Sequence, residues 1–175
     1  GAVLKIGVPT KELATEIEAL RLMEGAGVVQ IRESDHAMGA MLLEKLEPGQ
    51  PVYELGDDEA ATTIAAQVMQ NLWRSVPNHH VFPSVSDWAR GFQRLRACFD
   101  GDTGPFPRTL VEAAESIFDD LLLSSSDPVL LHGDLHHWNI LSAEREPWLA
   151  IDPKGVIGEP AYEAGAWLRN PFPHI

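Results

Sequence analysis

Apolar residues recur along this chain at two spacings, and each spacing predicts a different element. Ala2 to Ile6 is a short apolar run broken only by Lys5, which predicts a strand. Thr10 is placed to cap a helix after Pro9. Leu13, Ile17, Leu20 and Met23 then return every three or four residues, and Gly25 or Gly27 ends the pattern. Residues 28–32 and 38–46 predict two strands joined across Glu33-Ser34-Asp35-His36. Glu47-Pro48-Gly49-Gln50-Pro51 interrupts all periodicity, as a hinge would. Helical spacing resumes over residues 57–74, with Asp57 and Asp58 at the start and Ile64, Val68 and Leu72 along one face. Ser86 predicts the cap of a further helix running to Phe99. Residues 100–108 predict a loop. Thr109 and Glu112 have the spacing of a capping box for a third helix, which ends at Leu123 before Ser124-Ser125-Ser126-Asp127-Pro128. Short strands are predicted over residues 129–131, 140–142 and 148–151, and a last helix over 161–169. Strands with one helix come first and helices with small strands follow, so the fold class is α+β.

Composition narrows the setting. The chain has 175 residues, of which 45% are hydrophobic and 22% charged, enough for one domain with a proper core. It carries 26 acidic and 13 basic residues, a net charge of −13. Such a surface repels nucleic acid and anionic membranes and attracts cationic small molecules. The single cysteine, Cys98, excludes an intrachain disulfide and points to a reducing, cytoplasmic compartment, with the thiol expected in the core. No apolar run reaches the length of a membrane span, so no membrane partner is expected.

The chemistry concentrates in residues 132–141, His-Gly-Asp-Leu-His-His-Trp-Asn-Ile-Leu, followed by Leu149-Ala150-Ile151-Asp152-Pro153. One carboxylate, Asp134, and one side-chain amide, Asn139, share a short loop, and a second carboxylate, Asp152, stands at the end of a strand. Phosphoryl transfer from ATP needs such a set. One Asp orients and deprotonates the attacking hydroxyl, while an Asn and another Asp offer Mg²⁺ the hard oxygen ligands it prefers. A different reading starts from His132, His136 and His137, whose neutral imidazoles are zinc ligands, although no cysteine accompanies them.

The run from His132 to Asn139 resembles the catalytic loop of the aminoglycoside phosphotransferase family, kinase-like enzymes that carry H-G-D-x-x-x-x-N. Ile-Asp-Pro-Lys-Gly-Val-Ile-Gly-Glu-Pro over residues 151–160 is similar to the subgroup that includes streptomycin and hydroxyurea kinases. The resemblance implies a two-lobed, protein-kinase-like fold. Residues 1–47 would be a partial small lobe and residues 48–175 a mainly helical lobe, with a nucleotide cleft between them. It implies that Lys5 bonds the ATP phosphates and that Glu16 holds it, with Glu12 and Glu18 as other candidate partners. It implies backbone contacts to adenine from Glu44, Lys45, Leu46 and Glu47. His132 and Gly133 would shape the loop. His136, Lys154, Glu159, Glu163, Asp100 and Asp102 are candidates to meet the substrate or the phosphates. The implied activity is transfer of phosphate from MgATP to a hydroxyl of a cationic, streptomycin-like molecule by a monomer or homodimer, an antibiotic-resistance reaction. Four residues precede Lys5, and no segment matches a glycine-rich phosphate loop. The chain is therefore expected to be a piece of a longer protein or a truncated relative, and its alternative role is that of a non-catalytic remnant that binds a ligand or partner.

Overall fold

The computed structural model describes residues 1–125 and 127–170. Ser126, within the expected helix stop, and residues 171–175 lie outside the described residues. The elements are β1 (Ala2–Ile6), α1 (Lys11–Met23), β2 (Ile31–Asp35), β3 (Ala40–Glu44), β4 (Pro48–Pro51), α2 (Asp58–Leu72) and β5 (Arg74–Ser75). They continue as α3 (Val85–Cys98), α4 (Arg108–Ser124), β6 (Val129–Leu131), β7 (Ile140–Ala143), β8 (Trp148–Ala150), β9 (Val156–Gly158) and α5 (Ala164–Leu168).

Among the described residues three small antiparallel sheets result, in the orders β1-β3-β2, β4-β7-β8 and β5-β6-β9. The Thr10 hydroxyl caps α1 by accepting the Leu13 N–H, and the helix buries Leu13, Ile17, Leu20 and Met23. The strand expected over 28–32 begins at Ile31 instead, because Val28 and Val29 join a different partner. The Val29 N–H donates to the Ala150 carbonyl and the Ala150 N–H to that of Gly27, each at 2.8 Å. That exchange ties the end of α1 to β8, two residues before Asp152.

Several local expectations need correction. Residues 48–51 break the periodicity yet form β4 against β7. α2, capped by Asp57, stops at Leu72 because Arg74 and Ser75 pair with β6. α3 is capped by Ser84, in a reciprocal box with Asp87, and not by Ser86. α4 starts directly after Pro107 with no side-chain cap, so Thr109 lies inside the helix and the Thr109–Glu112 box does not form. The last predicted helix is a 3₁₀ turn over Pro160–Glu163 followed by α5. Cys98 is exposed, not buried. Trp138 is 40% exposed and packs at a tilt against Tyr53 with centroids 4.0 Å apart.

Among the described residues, the larger of two apolar clusters runs through both the first and the later elements. Leu20 and Met23 of α1, Met41 of β3, Val68 and Leu72 of α2, Leu130, Leu135, Ile140 and Ala150 all belong to it. Each fully buried leucine-sized side chain contributes roughly 1.5–3 kcal/mol. The segments carrying Asp134 and Asp152 are therefore anchored in the same apolar mass as the helix carrying Glu16. Among the described residues, no helix is long and apolar enough to cross a membrane.

Candidate active site

The loop between β6 and β7 is held by its own first residue. His132 is fully buried. Its Nδ1 accepts the Asp134 N–H at 3.2 Å, which leaves Nε2–H to donate to the Ile151 carbonyl at 2.8 Å. That tautomer is neutral, and burial pushes the imidazole down to about 4. Gly133 has φ +84°, and a Cβ there would meet Val156 Cγ1 at 2.8 Å, so the turn tolerates only glycine. The Asn139 amide donates to the Asp134 carbonyl at 3.0 Å, closing the loop across five residues. Its oxygen takes no hydrogen bond among the described residues.

Asp152 sits where the chain leaves β8. It holds φ +59°, a left-handed conformation uncommon outside glycine and concentrated at functional sites. The Ile151 N–H donates to the Asn139 carbonyl at 2.9 Å, and those of Lys154 and Gly155 donate to the His132 carbonyl. Asn139 and Asp152 are thus fixed to one another through the backbone.

From the opposite sheet, Lys5 on β1 reaches Glu16 Oε1 at 2.6 Å and Asp152 Oδ1 at 3.0 Å. Burial opposes its charge, but the bonds to Glu16 and Asp152 outweigh it and the ammonium is raised above its ordinary value. Burial raises the Glu16 carboxyl, against the downward pull of Lys5. Glu16 is therefore the lysine's partner here. Of the other two candidates, Glu12 pairs with Lys154 and Glu18 with Arg21. The Lys154 ammonium is raised by its bond to Glu12.

A cavity of about 620 Å³ opens beside Asp134. Its walls include Glu12 and Asp134, the cations Lys11, Lys154 and Arg169, and the rings of Trp88 and Tyr162. Lys154 is the one substrate candidate among these lining residues. Glu163 is a correction: it is 1% exposed, and its two oxygens accept the His132 and Gly133 N–H groups at 2.7 and 2.9 Å. It holds the loop from beneath and does not face a substrate. Burial pushes its carboxyl up to about 7. Asp102 accepts from Arg108 and from its neighbour Thr103, and neither it nor Asp100 lines the cavity. Glu159 lines a separate apolar cavity between α3, α4 and β9. His136 accepts the Trp138 N–H, and His137 is buried against Trp167, centroids 3.6 Å apart. Among the described residues, no three His, Cys, Asp or Glu side chains converge as metal ligands, so the zinc reading of His132, His136 and His137 falls.

Glu44 ends β3 and pairs with Arg145, while Lys45 pairs with Glu47 at 2.5 Å. With Leu46 they line a small groove beside residues 143–145.

A lysine–glutamate pair on a sheet and helix, facing an Asp…Asn loop and a strand-end Asp, defines a protein-kinase-like fold. A choline/ethanolamine kinase family protein from Mesorhizobium loti superposes on 95% of this chain and 56% of its own, with TM-score 0.72 and 14% identity. Choline kinase LicA from Streptococcus pneumoniae superposes with TM-score 0.67 and 16% identity, over 94% of this chain and 60% of its own. The chain belongs to the aminoglycoside/hydroxyurea antibiotic resistance kinase family, whose model matches residues 1–175. It is 34% identical over 163 residues to streptomycin 6-kinase of Streptomyces glaucescens (93% of this chain, 52% of that protein). It is 36% identical over 176 residues to hydroxyurea phosphotransferase of Kitasatospora aureofaciens (98% and 51%). The chain spans about half the length of these curated relatives.

Proposed function

We propose that this chain carries the phosphotransfer centre of a small-molecule kinase that moves the γ-phosphoryl group of ATP to a hydroxyl of a streptomycin-type acceptor. One observation carries the reading: Lys5 bridges Glu16 and Asp152 at 2.6 and 3.0 Å, while Asn139 and Asp152 are locked to the loop that presents Asp134. A non-catalytic remnant is not favoured, because it has no need of that bridge.

Asp134 accepts the proton of the acceptor hydroxyl as its oxygen bonds to the γ-phosphorus, and ADP leaves with the electrons of the broken bond. Asn139 and Asp152 are the residues that would hold Mg²⁺, and their hard oxygen donors fit it; when bound, the ion neutralises phosphate charge. Lys5, kept in place by Glu16, takes the α- and β-phosphates. Residues 1–47 act as the small lobe and 48–175 as the large one, with backbone groups of residues 44–47 offered to adenine. Nucleotide use accords with the crystal structure of LicA in complex with AMP, TM-score 0.64 and 15% identity. The streptomycin and hydroxyurea kinases among its relatives support a small hydroxylated acceptor. A cytoplasmic setting accords with one exposed, unpaired cysteine.

The test measures ATP-dependent phosphorylation of streptomycin and hydroxyurea by the protein and by Asp134→Asn. Turnover of one acceptor is expected, with a loss of about 10²–10⁴-fold in the variant. Undiminished turnover in Asp134→Asn removes Asp134 from the mechanism.

A further inference from the structure

Asp134 is pinned at three points, and only one of the three acts on its carboxylate. Its N–H is taken by His132 Nδ1 and its carbonyl by the Asn139 amide, so both main-chain groups are fixed by the loop itself. The side chain is met from outside the loop. Arg169 Nη2 donates to Asp134 Oδ1 at 3.4 Å. This arginine directly follows α5, on a segment already committed to the loop. Glu163 holds the His132 and Gly133 N–H groups, and Trp167 stacks on His137. Trp167 also donates to Thr62 of α2 at 3.3 Å, which fixes the segment to the core.

We propose that Arg169 is a positioning residue for Asp134, steering the carboxylate toward the acceptor hydroxyl. The assignment rests on Asp134 being the base. The Arg169 side chain is 61% exposed, so the contact adds little to folding. Its effect is orientational. A carboxylate that swings freely about its last bond samples poses that cannot reach a bound hydroxyl, and misplacement on the order of 1 Å costs roughly a hundredfold in rate. A guanidinium at one oxygen restricts that swing and leaves the other oxygen for the proton. Lys11 and Lys154 also line the cavity, but Lys154 is paired with Glu12 and acts on Asp134 only through its charge, and among the described residues neither ammonium forms an ion pair with Asp134.

The experiment compares Arg169→Ala and Arg169→Lys with the unaltered protein in steady-state kinetics, MgATP binding and thermal unfolding. Arg169→Ala is expected to lose roughly a hundredfold in kcat. KM for ATP, MgATP affinity and melting temperature should be unmoved, and Arg169→Lys should recover part of the rate. Unchanged kcat in Arg169→Ala overturns the proposal. So does a rise in the acceptor's KM at constant kcat, which makes Arg169 a binding group, or a lowered melting temperature in both variants, which makes it structural. Absence of turnover in the unaltered protein sinks the kinase reading, and this proposal with it.

Discussion

The loop around Asp134 and the helical pair α3–α4 are built in opposite ways. Between β6 and β8, Leu130, Leu131, His132, Leu135, Ile140, Leu149 and Ala150 are all fully buried. α3 and α4 are the longer elements, yet each buries a single residue, Val85 and Val111. Leu110, Ile117 and Leu121 lie on α4 at helical spacing and are more than half exposed. Amphipathic patterning alone therefore does not anchor a segment. Burial is dense around the segments that carry Asp134 and Asp152, and sparse on the two helices beside them.

The sharpest way to break that comparison is to remove equal volumes from both regions. Leu135→Ala should cost about 2–5 kcal/mol, since a cavity opens in a close-packed site. Ile117→Ala, 58% exposed, should cost less than about 0.5 kcal/mol. Urea unfolding followed by circular dichroism measures both, and similar losses would erase the distinction.

Acid titration sharpens it next. Burial raises Glu163 from 4.5 to about 7, so its contribution is full below pH 4.5 and lost as the pH rises through about 7. Burial lowers His132 from 6.5 to about 4, so its contribution is full above pH 6.5 and lost as the pH falls through about 4. The two slopes oppose each other over the same window, each worth on the order of 3 kcal/mol. The unaltered protein should therefore show little dependence on these groups between pH 4.5 and 6.5. Glu163→Gln should be less stable at low pH, because its amide NH₂ takes the place of one of the two acceptor oxygens and faces an N–H donor. Its remaining stability should climb with pH as His132 loses its proton. Urea midpoints across that range decide it, and a flat profile in the variant refutes the opposition.

The smallest effect concerns the pair between Lys154 and Glu12. Both side chains are substantially exposed, so a double-mutant cycle with Lys154→Met and Glu12→Gln should return a coupling below about 1 kcal/mol. A larger value would show that the cleft is latched by charge and not only by the shared core.

The same contrast explains what could be read from the chain. That Asp134, Asn139 and Asp152 come together was legible because they stand in neighbouring positions with fixed spacing. The pairing of Lys5 with Glu16 was legible only through the resemblance to kinase-like folds, since a lone strand lysine reads like any exposed one. Glu163 was not, since its role is to accept N–H groups of residues about thirty positions earlier, and an acid bound for the interior reads like one bound for solvent. Arg169 escaped for the same reason. β5 and β9 are too short, at two and three residues, for any periodicity to appear. The cap of α3 was misread because Ser84 and Ser86 have equal chemistry; Asp87 three residues on completes the box for Ser84. The box expected at Thr109 failed because the helix begins at Arg108, directly after Pro107, which places Thr109 inside it.

Cys98 stands exposed at the end of α3, the chain's sole thiol, while Trp88 lines the cavity from the same helix. A maleimide dye will therefore attach at one place without mutagenesis. It would turn the lightly held helix into an optical reporter of what enters beside Asp134.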